Sequence, residues 1–356
     1  MIREVILGNF ATVIIILLFF VFLCKNKLLD RKINKIFVIS NIVFLVLAIV
    51  DSFDYYLSSL ETLSYWRYVT SVIGYSLRPT ILFLFTLILL RKNDQVRLRI
   101  YFAIPLFINI VFCLTSPFTH WVFYFTNPGN EFIRGVPFLC YLPFIVSGFY
   151  LATLIFLTFL KSKYFDIREV VLVLAIAVSV TGATIFEPVS SLRFLVNGVG
   201  VASSLFYYIN FISEIYKKDP LTELRNCQVF YNDSNALKSR SCIVCIDMNN
   251  LKELNDEQGH LEGDRALILI AHTVNRLLNN GERGYRIGGD EFVIISKKRL
   301  DPKSVDELVD AINQKLDEYK IKVAIGYEFF EPGEDFNKIY VIADKKMYQR
   351  KKKIKK

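Results

Sequence analysis

The chain has 356 residues, with 43 Lys and Arg against 34 Asp and Glu and a formal net charge of +9; that length suits about two ordinary domains. The charge is unevenly spread: residues 1–213 carry 17 basic and 10 acidic side chains, 13% of positions, whereas residues 214–356 carry 26 and 24, 35% of positions. An apolar, aromatic-rich front joined to a charged globular back excludes a secreted disulfide scaffold, a disordered chain and a fully soluble enzyme, and the nearly neutral back argues against nucleic-acid binding.

Seven apolar stretches in the front approach the roughly 20 residues needed to cross a bilayer. They lie near 4–24, 36–57, 68–90, 99–119, 138–160, 169–188 and 192–213. The first lacks a small-residue cleavage site, so it reads as an anchor and not a signal peptide. Loop 25–35 holds Lys25, Lys27, Arg31, Lys32 and Lys35, loop 91–99 holds Arg91, Lys92, Arg97 and Arg99, and loop 161–168 holds Lys161, Lys163 and Arg168. The alternate loops, 58–67, 120–137 and 189–191, hold only Arg67 and Arg134. Basic loops stay inside, which predicts an outer amino terminus and a cytoplasmic segment after residue 213.

Arg78, next to Pro79, falls near the middle of the third span, where a lone cation needs a partner or an aqueous cavity. Asp51 and Asp54 in the second span and Glu187 at the end of the sixth are candidates by depth. Two readings stand: a structural ion pair that sets helix packing, or a ligand pocket open to the outside and roofed by the 120–137 loop with His120 and Trp121.

After residue 213 the run 214–218 continues with neither Gly nor Pro, which predicts a short helical connector. From Asp219 onward strand-like runs at 241–247, 285–287, 292–296 and 321–327 alternate with helix-like runs at 265–278, 304–319 and 337–352. This pattern predicts an α+β domain over 219–356, with a central antiparallel-type sheet covered by helices on one face. Cys242 and Cys245 mimic a CxxC pair but fall three apart in a strand, where side chains point to opposite faces, so a redox or zinc role is disfavoured.

The chemistry concentrates in Gly288-Gly289-Asp290-Glu291-Phe292, two carboxylates after a turn of two glycines. Glycines permit positive φ and let a bulky anion approach the backbone. Asp247 ends the first strand, and neighbouring strands about 5 Å apart would let it face the hairpin acids. Facing carboxylates repel unless a cation lies between them, and Mg²⁺ bridging to phosphate oxygens is the usual solution. Taken alone, the turn is equally compatible with an acidic surface hairpin.

Five ordered blocks extend the motif: Asp219-Pro220-Leu221-Thr222; Asp247 through Asp256; Gly259-His260-Leu261-Glu262-Gly263-Asp264; Arg286-Ile287 before the glycines; and Ala343-Asp344 with Met347-Tyr348 and Lys351. With them, residues 219–356 resemble the GGDEF family of diguanylate cyclases. The resemblance implies a nucleotide-cyclase, palm-like fold and the condensation of two GTP into cyclic di-GMP with release of two pyrophosphates. It also implies a homodimer, in which each protomer holds one GTP. Asp247, Asp290, Glu291 and the carbonyl of Met248 would bind two Mg²⁺ ions, with Mn²⁺ as a substitute. Glu291, assisted by Asp290, would help deprotonate the attacking 3′-hydroxyl, and Arg286 would order the hairpin or the dimeric site.

By the same resemblance Asn255 and Asp264 read guanine, while Gly288, Gly289, Lys252, Lys351 and Lys355 approach the phosphates. A carboxylate accepting from both N–H donors of guanine favours GTP over ATP. Asp264 also suits an N-cap ahead of a helix at 265–278, and both roles are open from the sequence. The chain departs from the family pattern at Glu223 and Cys227, where Gly and Arg are usual, and at Asn279-Asn280-Gly281-Glu282, where an Arg-x-x-Asp feedback site would begin. The expectation is therefore a multi-domain, multi-pass protein of a bacterial inner membrane, responding to an extracellular or membrane ligand. The competing reading is a catalytically inactive module that binds GTP and signals to a partner. A transporter would carry paired repeats, and none is evident.

Overall fold

The computed structural model describes residues 2–26, 29–90, 96–161, 167–187 and 194–354. Lys27, Arg91, Lys92, Lys163 and Lys355, which enter the topology and phosphate expectations, lie outside the described residues. The chain divides into two compact units, Met1–Ile212 and Ser213–Lys356.

The first unit is helical: α1 (Ile2–Lys25), α2 (Arg31–Ser58), α3 (Trp66–Leu89), α4 (Val96–Thr119), α5 (Leu142–Lys161), α6 (Ile167–Phe186) and α7 (Leu195–Tyr216), with a short antiparallel hairpin, β1 (Phe123–Phe125) and β2 (Phe132–Arg134), between α4 and α5. Five segments, Arg31–Ser58, Trp66–Leu89, Arg97–Thr119, Leu139–Leu160 and Leu195–Tyr216, are long and apolar enough to cross a membrane. Among the described residues Asn9–Lys25 and Val170–Phe186 are apolar but shorter. The helices pack on an aromatic centre in which Phe37 meets Tyr208 edge to face, with ring centroids 4.8 Å apart.

Of the two readings of Arg78, the geometry has the ion pair: its Nη2 lies 2.7 Å from Asp51 Oδ2, linking α3 to α2. Asn197 on α7 donates to the same oxygen at 2.7 Å. Glu187 is occupied differently, its two carboxylate oxygens accepting the backbone N–H groups of Phe194 and Val196. Asp54 accepts from Thr70 Oγ1 at 2.6 Å. In the hairpin loop, His120 stacks on Tyr124 and Trp121 leans on Phe112. Asn130 ties the loop down, receiving Arg67 Nη1 at its Oδ1 (3.0 Å) and donating to the carbonyls of Leu57 and Leu60.

The second unit holds β3 (Arg225–Asn226), α8 (Cys227–Asn235), β4 (Ser241–Met248), α9 (Leu251–Gln258), α10 (His260–Leu277), β5 (Glu282–Arg286), β6 (Glu291–Ser296), α11 (Pro302–Asp317), β7 (Val323–Phe330) and α12 (Phe336–Ile354). The sheet order is β3-β5-β6-β4-β7. It is mixed and not antiparallel throughout, because β3 pairs in parallel with β5. Helices cover both faces, correcting the one-face expectation. Cys242, Val244 and Ile246 pack with Ile270 and Val274 of α10 and Leu308 and Ile312 of α11. Ile243 and Cys245 pack with Phe230 of α8 and Ala343 and Met347 of α12. The physical signal is β4 itself: a strand apolar at nearly every position is buried on both sides. Cys242 and Cys245 accordingly face opposite layers.

Candidate functional site

Side-chain alternation along β4 puts Asp247 on the same face as Ile243 and Cys245, the face covered by α12. In the antiparallel register Asp247 is the direct partner of Glu291, which opens β6. Asp290 precedes it in the turn, where its carbonyl accepts the Met248 N–H at 3.1 Å. The Ile287 N–H closes the same turn onto the Glu291 carbonyl at 3.0 Å. Neither Gly288 nor Gly289 has a positive φ, contrary to expectation. They act through their missing side chains: a Cβ on Gly288 would stand 2.8 Å from Glu291 Oε2, and nothing lies within 4 Å of the corresponding point on Gly289.

Lys351 reaches in from α12. Its ammonium pairs with Asp247 Oδ1 and stands 3.8 Å from Asp290 Oδ2. The expected phosphate contact is thus held against both carboxylates. Asp344, seven residues earlier on the same helix, adds negative charge to the cluster. Burial raises the Glu291 carboxyl above the usual carboxylate range, and the charges of Asp247, Asp290 and Asp344 add to the effect. Burial likewise raises Asp247, with the Lys351 hydrogen bond opposing it and Asp290 reinforcing it. Sequence reasoning passed over Asp344 as a site residue, although its spacing of seven from Lys351 places both on one helical face.

Arg286 ends β5 and clamps the turn from behind. Its Nη1 donates to Asp219 Oδ1 at 2.9 Å and its Nη2 to the Gly289 carbonyl at 2.8 Å. Asp219 also accepts from the Thr222 N–H and hydroxyl. Burial works to raise the Asp219 carboxyl, but Thr222 and Arg286 outweigh it and hold it below the usual range. Arg286 is therefore a positioning residue. The entry block contains a second consequence: Glu223 has φ of 60°, a backbone conformation that glycine adopts freely.

Asn255 on α9 buries its Oδ1 without a hydrogen-bond partner. Asp264, half-buried, lies inside α10, which starts at His260 after a Gly259 cap. The cap reading for Asp264 is thus overturned, because the helix begins five residues earlier than predicted. Lys252 is exposed on α9. The Met248 side chain belongs to the opposite core, leaving its backbone as the part nearest the turn.

The donor set fits a hard cation. Asp247, Asp290 and Glu291 offer carboxylate oxygen alone, and burial raises the carboxyls of Asp247 and Glu291. Among the described residues no three acidic, His or Cys side chains close into a metal cage. Mg²⁺ is ordinarily held by one or two carboxylates completed by substrate phosphates, so this openness suits it.

A mixed sheet that offers a Gly-Gly-Asp-Glu-Phe turn to a strand-end aspartate and a helix lysine defines the second unit as a GGDEF domain. Residues 216–356 match the family model described as "Diguanylate cyclase, GGDEF domain". Diguanylate cyclase DgcN of Escherichia coli (strain K12) is 30% identical over 148 residues, which are 37% of this chain and 36% of DgcN. Diguanylate cyclase DgcP of the same organism is 31% identical over 151 residues, 38% of this chain and 44% of DgcP. A solved microbial GGDEF domain, described for its interaction with bis-(3′,5′)-cyclic di-GMP, is 28% identical and covers 38% of this chain and 93% of its own, with a TM-score of 0.35. The chain spans well under two thirds of the length of these curated relatives.

Proposed function

We propose that this protein is a membrane-bound diguanylate cyclase, anchored by seven spans with an outer amino terminus and a cytoplasmic GGDEF domain in the inner membrane of a bacterium. It condenses two GTP into cyclic di-GMP and two pyrophosphates, working as a homodimer in which each domain contributes one nucleotide, under control of a ligand read by the membrane unit. The observation that carries the reading is the cross-strand pair Asp247–Glu291 with Asp290 beside it and Lys351 between the carboxylates.

Asp247, Asp290, Glu291 and the Met248 carbonyl are the groups that would hold Mg²⁺, which supplies charge neutralisation on the triphosphate and lowers the pKa of a bound hydroxyl. Each remaining role belongs to the chain. Glu291, whose carboxyl is raised by burial and by its acidic neighbours, is a stronger base for the 3′-hydroxyl proton than a free carboxylate. Lys351 exchanges its carboxylate contacts for phosphate oxygens, with Lys252, Lys355 and the open side of Gly289 sharing the polyanion. Asn255 and Asp264 read the guanine edge. Arg286 keeps the turn in place through Asp219 and the Gly289 carbonyl.

The test is GTP turnover by detergent-solubilised protein with Mg²⁺, comparing wild type with Glu291→Gln. Cyclic di-GMP from wild type and its loss in the variant is the expected result. Wild type that binds GTP yet makes no product when dimeric would defeat the proposal.

A further inference from the structure

α12 carries two faces of different chemistry. Ile339, Ala343 and Met347 are buried against the sheet with Ile243 and Cys245. At 3.6 residues per turn, Lys338, Val341, Ile342, Lys345, Tyr348 and Lys352 fall on the opposite side, within an arc of about 120°. All six are exposed, and the apolar ones substantially: Val341 61%, Tyr348 53% and Ile342 42%. No acidic side chain of the helix falls within that arc. Other basic side chains of α12 are engaged elsewhere: Lys346 pairs with Glu328, Lys351 with Asp247, and Arg350 donates to the Ile325 carbonyl. The Lys352 ammonium lies over the Tyr348 ring, 4.6 Å from its centroid.

A helix face meant only for water would carry charge without Val341, Ile342 and Tyr348. Lysines interleaved with aliphatic and aromatic side chains suit a helix lying in a membrane interface. Chain connectivity favours lipid over other anionic surfaces. β3 begins at Arg225, soon after the apolar helix α7 ends at Tyr216, and the segment between them extends to about 30 Å at most. A leaflet at the end of α7 is therefore always within reach of the domain, which raises its effective concentration. We infer that the outer face of α12 docks on anionic lipid of the cytoplasmic leaflet, with Lys338, Lys345 and Lys352 on headgroup phosphates and Val341, Ile342 and Tyr348 in the headgroup–acyl boundary. The inference rests on the reading of α7 as a membrane span. The acids just before the helix are themselves engaged: Glu331 with Arg240, Glu334 with the Glu331 N–H and Asp335 with the Asn337 N–H. Contact is accordingly centred on the stretch from Val341 to Lys352.

The experiment places the whole chain in lipid nanodiscs and follows acetylation of each lysine by a water-soluble reagent with mass spectrometry. Discs of phosphatidylcholine alone are compared with discs in which phosphatidylglycerol replaces one third of it. Lys303 and Lys320, exposed near the two ends of α11 on the other face of the sheet, are the internal references. In anionic discs Lys338, Lys345 and Lys352 should label at least about fivefold more slowly than in neutral discs, the factor set by one lysine's attraction to an anionic leaflet. The references should keep their rates. In about 1 M salt, where charges are screened beyond about 3 Å, the slowing should vanish. Lys345→Glu combined with Lys352→Glu should restore the rate at Lys338 in anionic discs, with unchanged references showing that the domain stays folded. Rates that match between the two lipids overturn the inference; if all three lysines are slow in both, the face belongs to a second copy of the chain. Slowing at Lys338 that survives the double charge reversal overturns it as well. A chain that does not stay with the disc defeats the membrane reading of α7 and the inference with it, a result separable from failure of α12 alone to dock.

Discussion

Asp247 on β4 and Glu291 on β6 are direct cross-strand partners, and both point toward α12. Like charges placed opposite each other in a sheet are destabilising. The domain keeps that arrangement and sets one lysine, Lys351, against it. A strained acidic pair is what a cation-dependent site needs and what a merely stable fold would avoid.

The first prediction concerns Glu291 and pH. Its folded-state carboxyl is raised, so its favourable contribution is present in acid, below the unfolded value of about 4.3, and is lost as pH rises through the folded value. Gln, uncharged throughout, does not lose it. In the absence of divalent cation, Glu291→Gln should melt no lower than wild type near pH 4 and progressively higher as pH approaches 8. Thermal unfolding of the detergent-solubilised chain across that range checks the sign, and a variant that melts lower at pH 8 refutes it.

Arg286 serves two acceptors at once through its planar fork, which lysine cannot reproduce. Arg286→Lys should therefore lose most of what Arg286→Ala loses. Each costs about 2 kcal/mol of stability, the range for a charge-assisted hydrogen bond. Turnover should fall further than GTP affinity, because the turn carrying Asp290 and Glu291 loosens. Urea unfolding alongside kcat and KM measures both parts.

Glu223 has a left-handed backbone that disfavours any side chain. Glu223→Gly should relieve that strain, worth about 1–2 kcal/mol, against an unfolded-state entropy cost of about 0.5–1 kcal/mol. The net gain, between about 0 and 1.5 kcal/mol, would appear as a higher urea midpoint with an unchanged slope.

Asn130 bonds the hairpin loop to α2 and α3, beside the Tyr68 hydroxyl that accepts the Phe125 N–H and the Arg67 guanidinium over the Phe125 ring. Asn130→Ala leaves the Leu57 and Leu60 carbonyls and the buried Arg67 guanidinium short of partners, at a cost of about 2–4 kcal/mol. Faster proteolysis within 120–137 in the solubilised variant, with residues 216–356 protected as before, is the readout.

Much of this was legible beforehand. Asp247, Asp290 and Glu291 are recognisable because motif spacing and strand alternation are local properties, and Arg78 advertises its need for a partner by depth alone. The second helical layer was not read, although β4, apolar on both faces, carried the signal. The cap role open to Asp264 beside base reading fails because the helix starts at His260, within a polar run that hides the start. Asp344 belongs to a family block, but its charge on the acidic cluster arises only when α12 lies across the strand ends.

What the amino-acid order determined by itself was the partition into apolar and charged halves, the elements and the family blocks, since hydrophobic periodicity and turn chemistry act over a few residues. Tertiary structure alone decided which acid answers Arg78 and that Lys351 stands between Asp247 and Asp290. Those are contacts between distant segments. Their existence depends on register and helix placement, which are set by the packing of the whole sheet and bundle and not by any one stretch of chain.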